Sequence, residues 1–224
     1  MKGKMTDHTE HMDELPLHRV QAASLVRIVD DDEKMRLSYA FMLKAAGWRV
    51  KSFSNAESFL ADKDETAGCL VLDVRMPEMS GLQLHAEMIR QGMTLPVIFV
   101  TGHGDVDMAV QTMKDGASDF MLKPVVPERL KNAVLHWCRQ DCLHRLSQLH
   151  TNAIERDFET LSERERQVLV MVTDGLSNRE IAARLCIAER TVKFHRSSVY
   201  EKLGVSSSAQ LVARAMQFRD KGLI

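Results

Sequence analysis

Five times between residues 25 and 138, a short run of strand character gives way to a segment with helical spacing. The runs are "LVRIV", "WRVKSF", "CLVLD", "PVIFVT" and "DFMLK". The segments that follow them are "EKMRLSYAFMLKAAG", "SNAESFLA", "GLQLHAEMIRQG", "DVDMAVQTMKDGA" and "PERLKNAVLHWC". Strands that alternate one for one with helices pair in parallel, because each crossover returns over the sheet, and it does so in the right-handed sense. The pattern predicts an α/β fold: a doubly wound, parallel five-stranded sheet with helices on both faces. Near-continuous apolar runs such as "CLVL" and "VIFV" suit strands covered on both sides. Ser54 and Glu57 stand at capping-box spacing ahead of the second helix, and Pro127 suits the first turn of the fifth.

The 224 residues, 45% of them hydrophobic and 27% charged, supply material for two modest cores. No apolar run reaches the roughly 18 residues of a membrane helix, and the opening "MKGKMTDHTEHMDELPLHRV" is too acidic for a signal peptide. A cytoplasmic protein without membrane contact is expected. Residues 1–23 read as a flexible N-terminal extension, with His8 and His11 solvated. The four cysteines are scattered, which argues against a disulfide framework. Cys138 and Cys142, one helical turn apart and flanked by His136 and His144, have a spacing that admits a metal, but a helix seam is the expectation.

After Leu130 the helical pattern continues without Gly or Pro into a helical linker, placed at 145–157. Residues 158–224 are then helical throughout, in four short segments. Two of these open with capping boxes, Ser162 with Glu165 and Ser177 with Glu180. The net charge of the chain is -1, yet Asp157 to Ile224 carries 11 Lys and Arg against 9 Asp and Glu, and the excess gathers in "ERTVKFHR". A local basic stripe of this kind is more informative than the net charge.

The strand ends carry the chemistry. In a doubly wound sheet ligands collect outside the carboxyl ends of the strands, where the strand order reverses. Asp30 and Asp31 end the first strand and Asp73 the third, so three carboxylates are expected to converge. A hard divalent cation relieves their repulsion, and Mg2+ requires only one or two carboxylates together with waters and a phosphoryl oxygen. Thr101 ends the fourth strand and Lys123 the fifth, adding a hydroxyl and an ammonium. Together they describe phosphoryl transfer to Asp73 as nucleophile, with the charge on the phosphoryl oxygens offset by the cation, Thr101 and Lys123. Singly, each has a plainer reading as a helix cap or a solvated loop residue.

The segments "VDDDEKMR", "LVLDVRMPEMSG", "VTGHGD" and "ASDFMLKP" resemble the four signatures of response-regulator receiver domains, which share the flavodoxin/CheY-like (βα)5 fold. The resemblance covers about residues 24–140, within a receiver domain placed at 24–144, and is to the FixJ-like group in particular. It implies Asp73 as the residue converted to 4-aspartylphosphate, with Thr101 and Lys123 at the phosphoryl group. It also implies Asp30, Asp31, Asp73 and the backbone carbonyl of Arg75 as Mg2+ ligands, and Thr101 with Phe120 as the switch pair.

Within the last segment, "SNREIAARL" suits the scaffold helix of a helix-turn-helix. "RTVKFHRSSVYEKL" suits its reader, with Val192, Val199 and Leu203 facing inward and Lys193, Phe194, Arg196 and Ser197 outward. Basic residues there can contact phosphates or guanine, and Phe194 can pack on a thymine methyl. A basic helix docked on the first domain is the plainer alternative. The segment "LSERERQVLVMVTDGLSNREIAARLCIAERTVKFHRSSVYEKLGV" resembles the LuxR-type (NarL/FixJ) DNA-binding domain almost throughout. The DNA-facing candidates are Asn178, Arg179, Arg190, Thr191, Lys193, Phe194, His195, Arg196 and Ser197. Ala188 stands where that family usually has Ser, so the reader helix lacks a hydroxyl N-cap.

These resemblances imply a two-component transcriptional regulator. A sensor histidine kinase phosphorylates Asp73, the receiver forms a homodimer through the region 105–120, and paired reader helices bind double-stranded promoter DNA and act on RNA polymerase, usually to activate. The receiver is expected to be a switch with only self-phosphorylation and autodephosphorylation activity. Two other readings compete: a DNA-binding regulator indifferent to phosphorylation, and an aspartyl-phosphate phosphatase, which wants an Asp where this chain has Arg75.

Overall fold

The computed structural model describes residues 15–102 and 112–224. Its contacts divide the chain into two compact units, up to Leu146 and from Ser147 onward. The first unit holds the helix α1 (Leu17–Ala23), then β1 (Leu25–Val29), α2 (Glu33–Ala45), β2 (Arg49–Phe53), α3 (Ala56–Leu60), β3 (Gly68–Asp73), α4 (Gly81–Arg90), β4 (Val97–Thr101) and β5 (Asp119–Leu122). The helix expected from "DVDMAVQTMKDGA" lies largely outside the described residues; its residues 112–114 are helical. Helix α5 (Pro127–Glu159) runs through the expected linker 145–157, and it is followed by α6 (Glu163–Thr173), α7 (Asn178–Leu185), α8 (Glu189–Lys202) and α9 (Ser208–Asp220).

The five strands form one parallel sheet in the order β2-β1-β3-β4-β5. The three central strands are buried at every position, as their predominantly apolar runs require; the exception inside β1, Arg27, is buried with its guanidinium donating to the carbonyls of Leu25, Asp64 and Thr66. Successive residues point to opposite faces. Val26, Ile28, Val71, Ile98 and Val100 pack on one face against Val20, Leu43, Leu130 and Val134 of α1, α2 and α5. Leu70, Leu72, Val97 and Phe99 pack on the other against Phe59, Leu84 and Met88 of α3 and α4. Each such fully buried side chain contributes roughly 1.5–3 kcal/mol.

Two local expectations are corrected. Residues 17–23, expected to be part of a flexible extension, form α1; Val20 is 0% exposed in the core and Gln21 Nε2 donates to Ala46 O at 2.7 Å. Leu17 and Val20 were too few to register as an amphipathic period, yet one buried valine suffices once α2 and α5 supply the walls. Residues 1–14, with His8 and His11, lie outside the described residues. Helix α3 is capped by Asn55, whose Oδ1 accepts from Ser58 N at 2.9 Å, and not by Ser54 with Glu57. The carboxamide accepts from Ser58 N, one residue beyond the Glu57 N–H that a Ser54 cap would use, and the helix starts one residue later accordingly.

In the second unit Ile154, Phe158, Leu169, Val199, Leu211 and Phe218 form the main core. Val168, Ile181, Ala182 and Val192 form a smaller one beneath the turn between α7 and α8. Both expected capping boxes are present, Ser162 with Glu165 and Ser177 with Glu180.

Candidate functional site

The parallel register explains how four distant residues meet. Val29 pairs with Leu72, so Asp30 and Asp73 come next at the same edge; Asp73 pairs with Val100 and Thr101 with Leu122, which brings Thr101 and Lys123 alongside. Because the chain leaves β1 for β2 on one side and returns as β3 on the other, Asp30 and Asp73 flank the point where strand order reverses.

At this edge Lys123 Nζ donates to Asp30 Oδ2 at 2.8 Å and to Asp73 Oδ1 at 2.6 Å. The other oxygen of each carboxylate is held by main chain: Asp73 Oδ2 accepts from Arg75 N at 2.6 Å, and Asp30 Oδ1 from Asp32 N at 2.9 Å. Asp30 is 2% exposed and Asp73 6%; Thr101 is buried beside them, and Lys123 N donates to Thr101 O at 2.8 Å. Burial pushes the Asp30 carboxyl above its usual range, and Lys123 offsets this only in part. Burial alone would lower the Lys123 ammonium, but its hydrogen bonds to Asp30 and Asp73 raise it, so it stays charged.

The loop after Asp73 is fixed tightly. Glu78 takes a left-handed conformation, with φ of 63°, and Ser80 opens α4 with a capping box to Gln83. A Cβ on Gly81 would stand 2.1 Å from Asp73 O, so only glycine lets α4 approach the end of β3 this closely.

Asp31 differs from the other acids. Its side chain is exposed at the mouth of the crevice, and Asp32 is the N-cap of α2, accepting from Lys34 N and Met35 N. Among the described residues no three His, Cys, Asp or Glu side chains are gathered as a metal site. The donors still suit a hard cation, since Mg2+ takes one or two carboxylates and completes its shell with water, carbonyl and phosphoryl oxygens. Asp30 and Asp73 bring two carboxylates to one edge, bridged by Lys123, and these are oxygen donors of the kind such a cation takes. Phe120 is half-buried on β5, with Arg129 Nη2 donating to its carbonyl at 3.1 Å. Cys138 and Cys142 turn into the helix seam, Cys138 Sγ lying 3.5 Å from Cys69 Sγ and Cys142 Sγ 3.4 Å from Ser24 Oγ.

In the second unit α7 and α8 are joined by a three-residue turn that starts at Cys186 in the left-handed region, φ 53°. Helix α8 buries Val192 and Val199 and leaves Arg190, Lys193, Phe194 and Ser197 exposed; Phe194 is 69% exposed. Thr191 and His195 are half-buried, and Arg179 is exposed at the start of α7. Arg196 departs from the expected outward position: half-buried, its Nη1 donates to Asn178 Oδ1 at 2.8 Å, so two of the candidates are spent in part on each other. As expected of Ala188, α8 has no side-chain cap.

In the sequence Glu165 is legible only as half of a capping box. The same carboxylate also accepts from Ser198 Oγ at 2.6 Å and Lys202 Nζ at 2.7 Å, and so ties the reader helix to α6. Its spacing to Ser162 was legible, but its partners 33 and 37 residues away were not.

Comparison with known proteins agrees with both halves of this description. The family model for the response regulator receiver domain matches residues 26–135, and that for bacterial regulatory proteins of the luxR family matches residues 159–215. Among similar proteins, the response regulator protein TmoT of Ectopseudomonas mendocina is 39% identical, with 91% of this chain and 93% of that protein covered. The transcriptional regulatory protein FixJ of Rhizobium meliloti is 44% identical, with 85% and 94% covered. Among solved structures, the response regulator StyR superposes with a TM-score of 0.82 at 38% identity, covering 87% of this chain and 99% of StyR. The chain thus belongs to the two-component response regulators, transcription regulators in which a receiver domain is joined to a LuxR-type DNA-binding domain.

Proposed function

We propose that this protein is switched by phosphorylation of Asp73, with a sensor histidine kinase as donor, and that the phosphorylated form binds promoter DNA as a homodimer. The observation that carries the reading is the Lys123 bridge between Asp30 and Asp73 at the carboxyl edge of the sheet. One Asp73 oxygen forms the new O–P bond as the donor's bond to phosphorus breaks. The Arg75 N–H fixes the rotation of the carboxylate, so that the nucleophile is aimed before the donor arrives. Lys123, already charged and within reach of both acids, transfers a hydrogen bond to a phosphoryl oxygen; the Thr101 hydroxyl serves another. Asp30, Asp31, Asp73 and the Arg75 carbonyl would hold Mg2+, which would supply further positive charge to offset that on the phosphoryl oxygens.

The receiver is a phosphoacceptor with only its own phosphorylation and slow hydrolysis to catalyse. Thr101 and Phe120 shift on phosphorylation, and the region 105–120 then pairs with a second copy; its residues 105–111 lie outside the described residues. Two copies of α8 read paired half-sites, with Arg190, Lys193, Phe194 and Ser197 toward the groove, and the bound dimer activates transcription through RNA polymerase. Wild type and Asp73→Asn incubated with Mg2+ and acetyl phosphate test the assignment. Wild type is expected to gain hydroxylamine-sensitive phosphate and to retard DNA more strongly, and Asp73→Asn to do neither. Acid-labile aspartyl phosphate on Asp73→Asn would assign the acceptor elsewhere, and equal DNA affinity with and without phosphodonor would make the regulator phosphorylation-independent.

A further inference from the structure

Residues 136–158 lie between the segments matched by the two family models, yet the first part of this stretch is bound firmly to the receiver sheet. Asp141, on α5, is 2% exposed. Its Oδ2 accepts from Gly68 N at 2.8 Å and from Arg145 Nε at 2.9 Å, and Arg145 Nη1 donates onward to Glu65 O at 2.7 Å. One buried carboxylate therefore joins α5 to the loop before β3 and to the first residue of β3 itself.

An apolar side chain here would bind the helix to the sheet at no cost in desolvation, whereas a buried carboxylate is costly unless several donors satisfy it. What the carboxylate adds is direction. Apolar packing tolerates sliding along the helix axis, but two hydrogen bonds that leave the helix, Gly68 N to Asp141 Oδ2 and Arg145 Nη1 to Glu65 O, hold α5 at one register, and the Asp141–Arg145 ion pair within the helix aims both side chains. The point it grips is rigid as well: a Cβ on Gly68 would stand 2.0 Å from Leu25 O, so the start of β3 is pressed against β1. Cys138 against Cys69 and Cys142 against Ser24 line the same seam. This is the end of the sheet opposite Asp73, beside a cavity of about 400 Å3 whose walls include Arg27, Asp62, Asp64 and Arg145.

We propose that Asp141 is a positioning residue that locks the register of α5 on the sheet and so lets the phosphorylation state of Asp73 be felt in DNA affinity. The proposal rests on the phosphorylation switch described above. A helix locked at one register moves with the sheet as a body, while a helix free to slide absorbs the change within the receiver.

The test uses the full chain and a duplex selected from a random pool by the phosphorylated wild type. The readout is the ratio of DNA Kd without and with acetyl phosphate, alongside phosphate incorporation at Asp73 and the thermal midpoint. Couplings between two sites commonly amount to roughly 5- to 150-fold. Asp141→Ala is expected to bring the ratio close to 1 with wild-type phosphate incorporation. Asp141→Asn, which keeps an oxygen for Gly68 N and loses the ion pair, restores part of the ratio. A purely structural staple would lower the midpoint and leave the ratio intact, and that result in Asp141→Ala overturns the proposal. Should Asp141→Ala fail to fold, Arg145→Gln decides: a wild-type ratio in that variant equally overturns it. A wild-type protein that takes up phosphate with no change in DNA affinity removes the switch reading, and the proposal falls with it.

Discussion

Glu165→Gln tests whether the reader helix is held by charge or by hydrogen-bond shape alone. Glu165 is 5% exposed and receives hydrogen bonds from Ser162 N, Ser198 Oγ and Lys202 Nζ. Burial by itself would raise its pKa, but the bonds from Lys202, Ser198 and Ser162 outweigh that and lower it from 4.5 to about 2. Such a shift corresponds to about 3 kcal/mol at neutral pH. Lys202 is partly exposed, and solvent screening reduces the expected effect to roughly 1–2 kcal/mol. Glutamine preserves the length and an acceptor oxygen and removes the charge, so the loss should approach that value. Because the folded pKa is depressed, the stabilisation is complete above the unfolded value of 4.5 and disappears as pH falls toward about 2. Amide hydrogen exchange in peptides from α6 and α8 reads it locally, since 1–2 kcal/mol corresponds to a factor of roughly 5–30 in opening. At pH 6.5 the variant should exchange faster by that factor, and below pH 4.5 the gap should shrink by at most about 1.4 kcal/mol per unit. A gap of equal size at pH 6.5 and pH 3.5 would refute the charge argument and leave the hydrogen bonds as the cause.

Two further substitutions probe the local geometry. Gly81→Ala forces a Cβ to within 2.1 Å of Asp73 O, and overpacking of this kind commonly costs about 1–3 kcal/mol; urea unfolding followed by Trp48 and Trp137 fluorescence should show the loss, together with slower phosphorylation of Asp73. Ala188→Ser gives α8 the side-chain cap it lacks and should stabilise the second unit by about 1 kcal/mol; unchanged exchange at the start of α8 would show that Glu189 in its first turn already suffices.

Much of the fold was legible because its determinants are local. The central strands can be read from a few consecutive, mostly apolar residues, and the capping boxes at Ser162 and Ser177 from residues three apart. The candidate site was legible for a related reason: Asp30, Asp73, Thr101 and Lys123 each terminate a strand, and a parallel sheet brings strand ends to one edge. Two local features were not legible. Leu17 and Val20 are too sparse to reveal α1, and the Ser54–Glu57 spacing pointed to a cap one residue before Asn55, which caps the helix instead.

The alternation of elements, the edge of the sheet that carries the acids and the helix that carries the basic stripe are local properties of the chain, because all of these follow from side-chain periodicity and from which residue ends a strand. How those groups are partnered is a property of the packing. That Lys123 spans both Asp30 and Asp73, that Arg196 is tied to Asn178, that Glu165 holds Ser198 and Lys202, and that Asp141 caps the start of β3 all depend on which faces meet. Those pairs lie between 18 and 93 residues apart. A hydrogen bond is fixed by tenths of an ångström and by angle, and separations in sequence carry no such information until packing has set the helices and strands against one another.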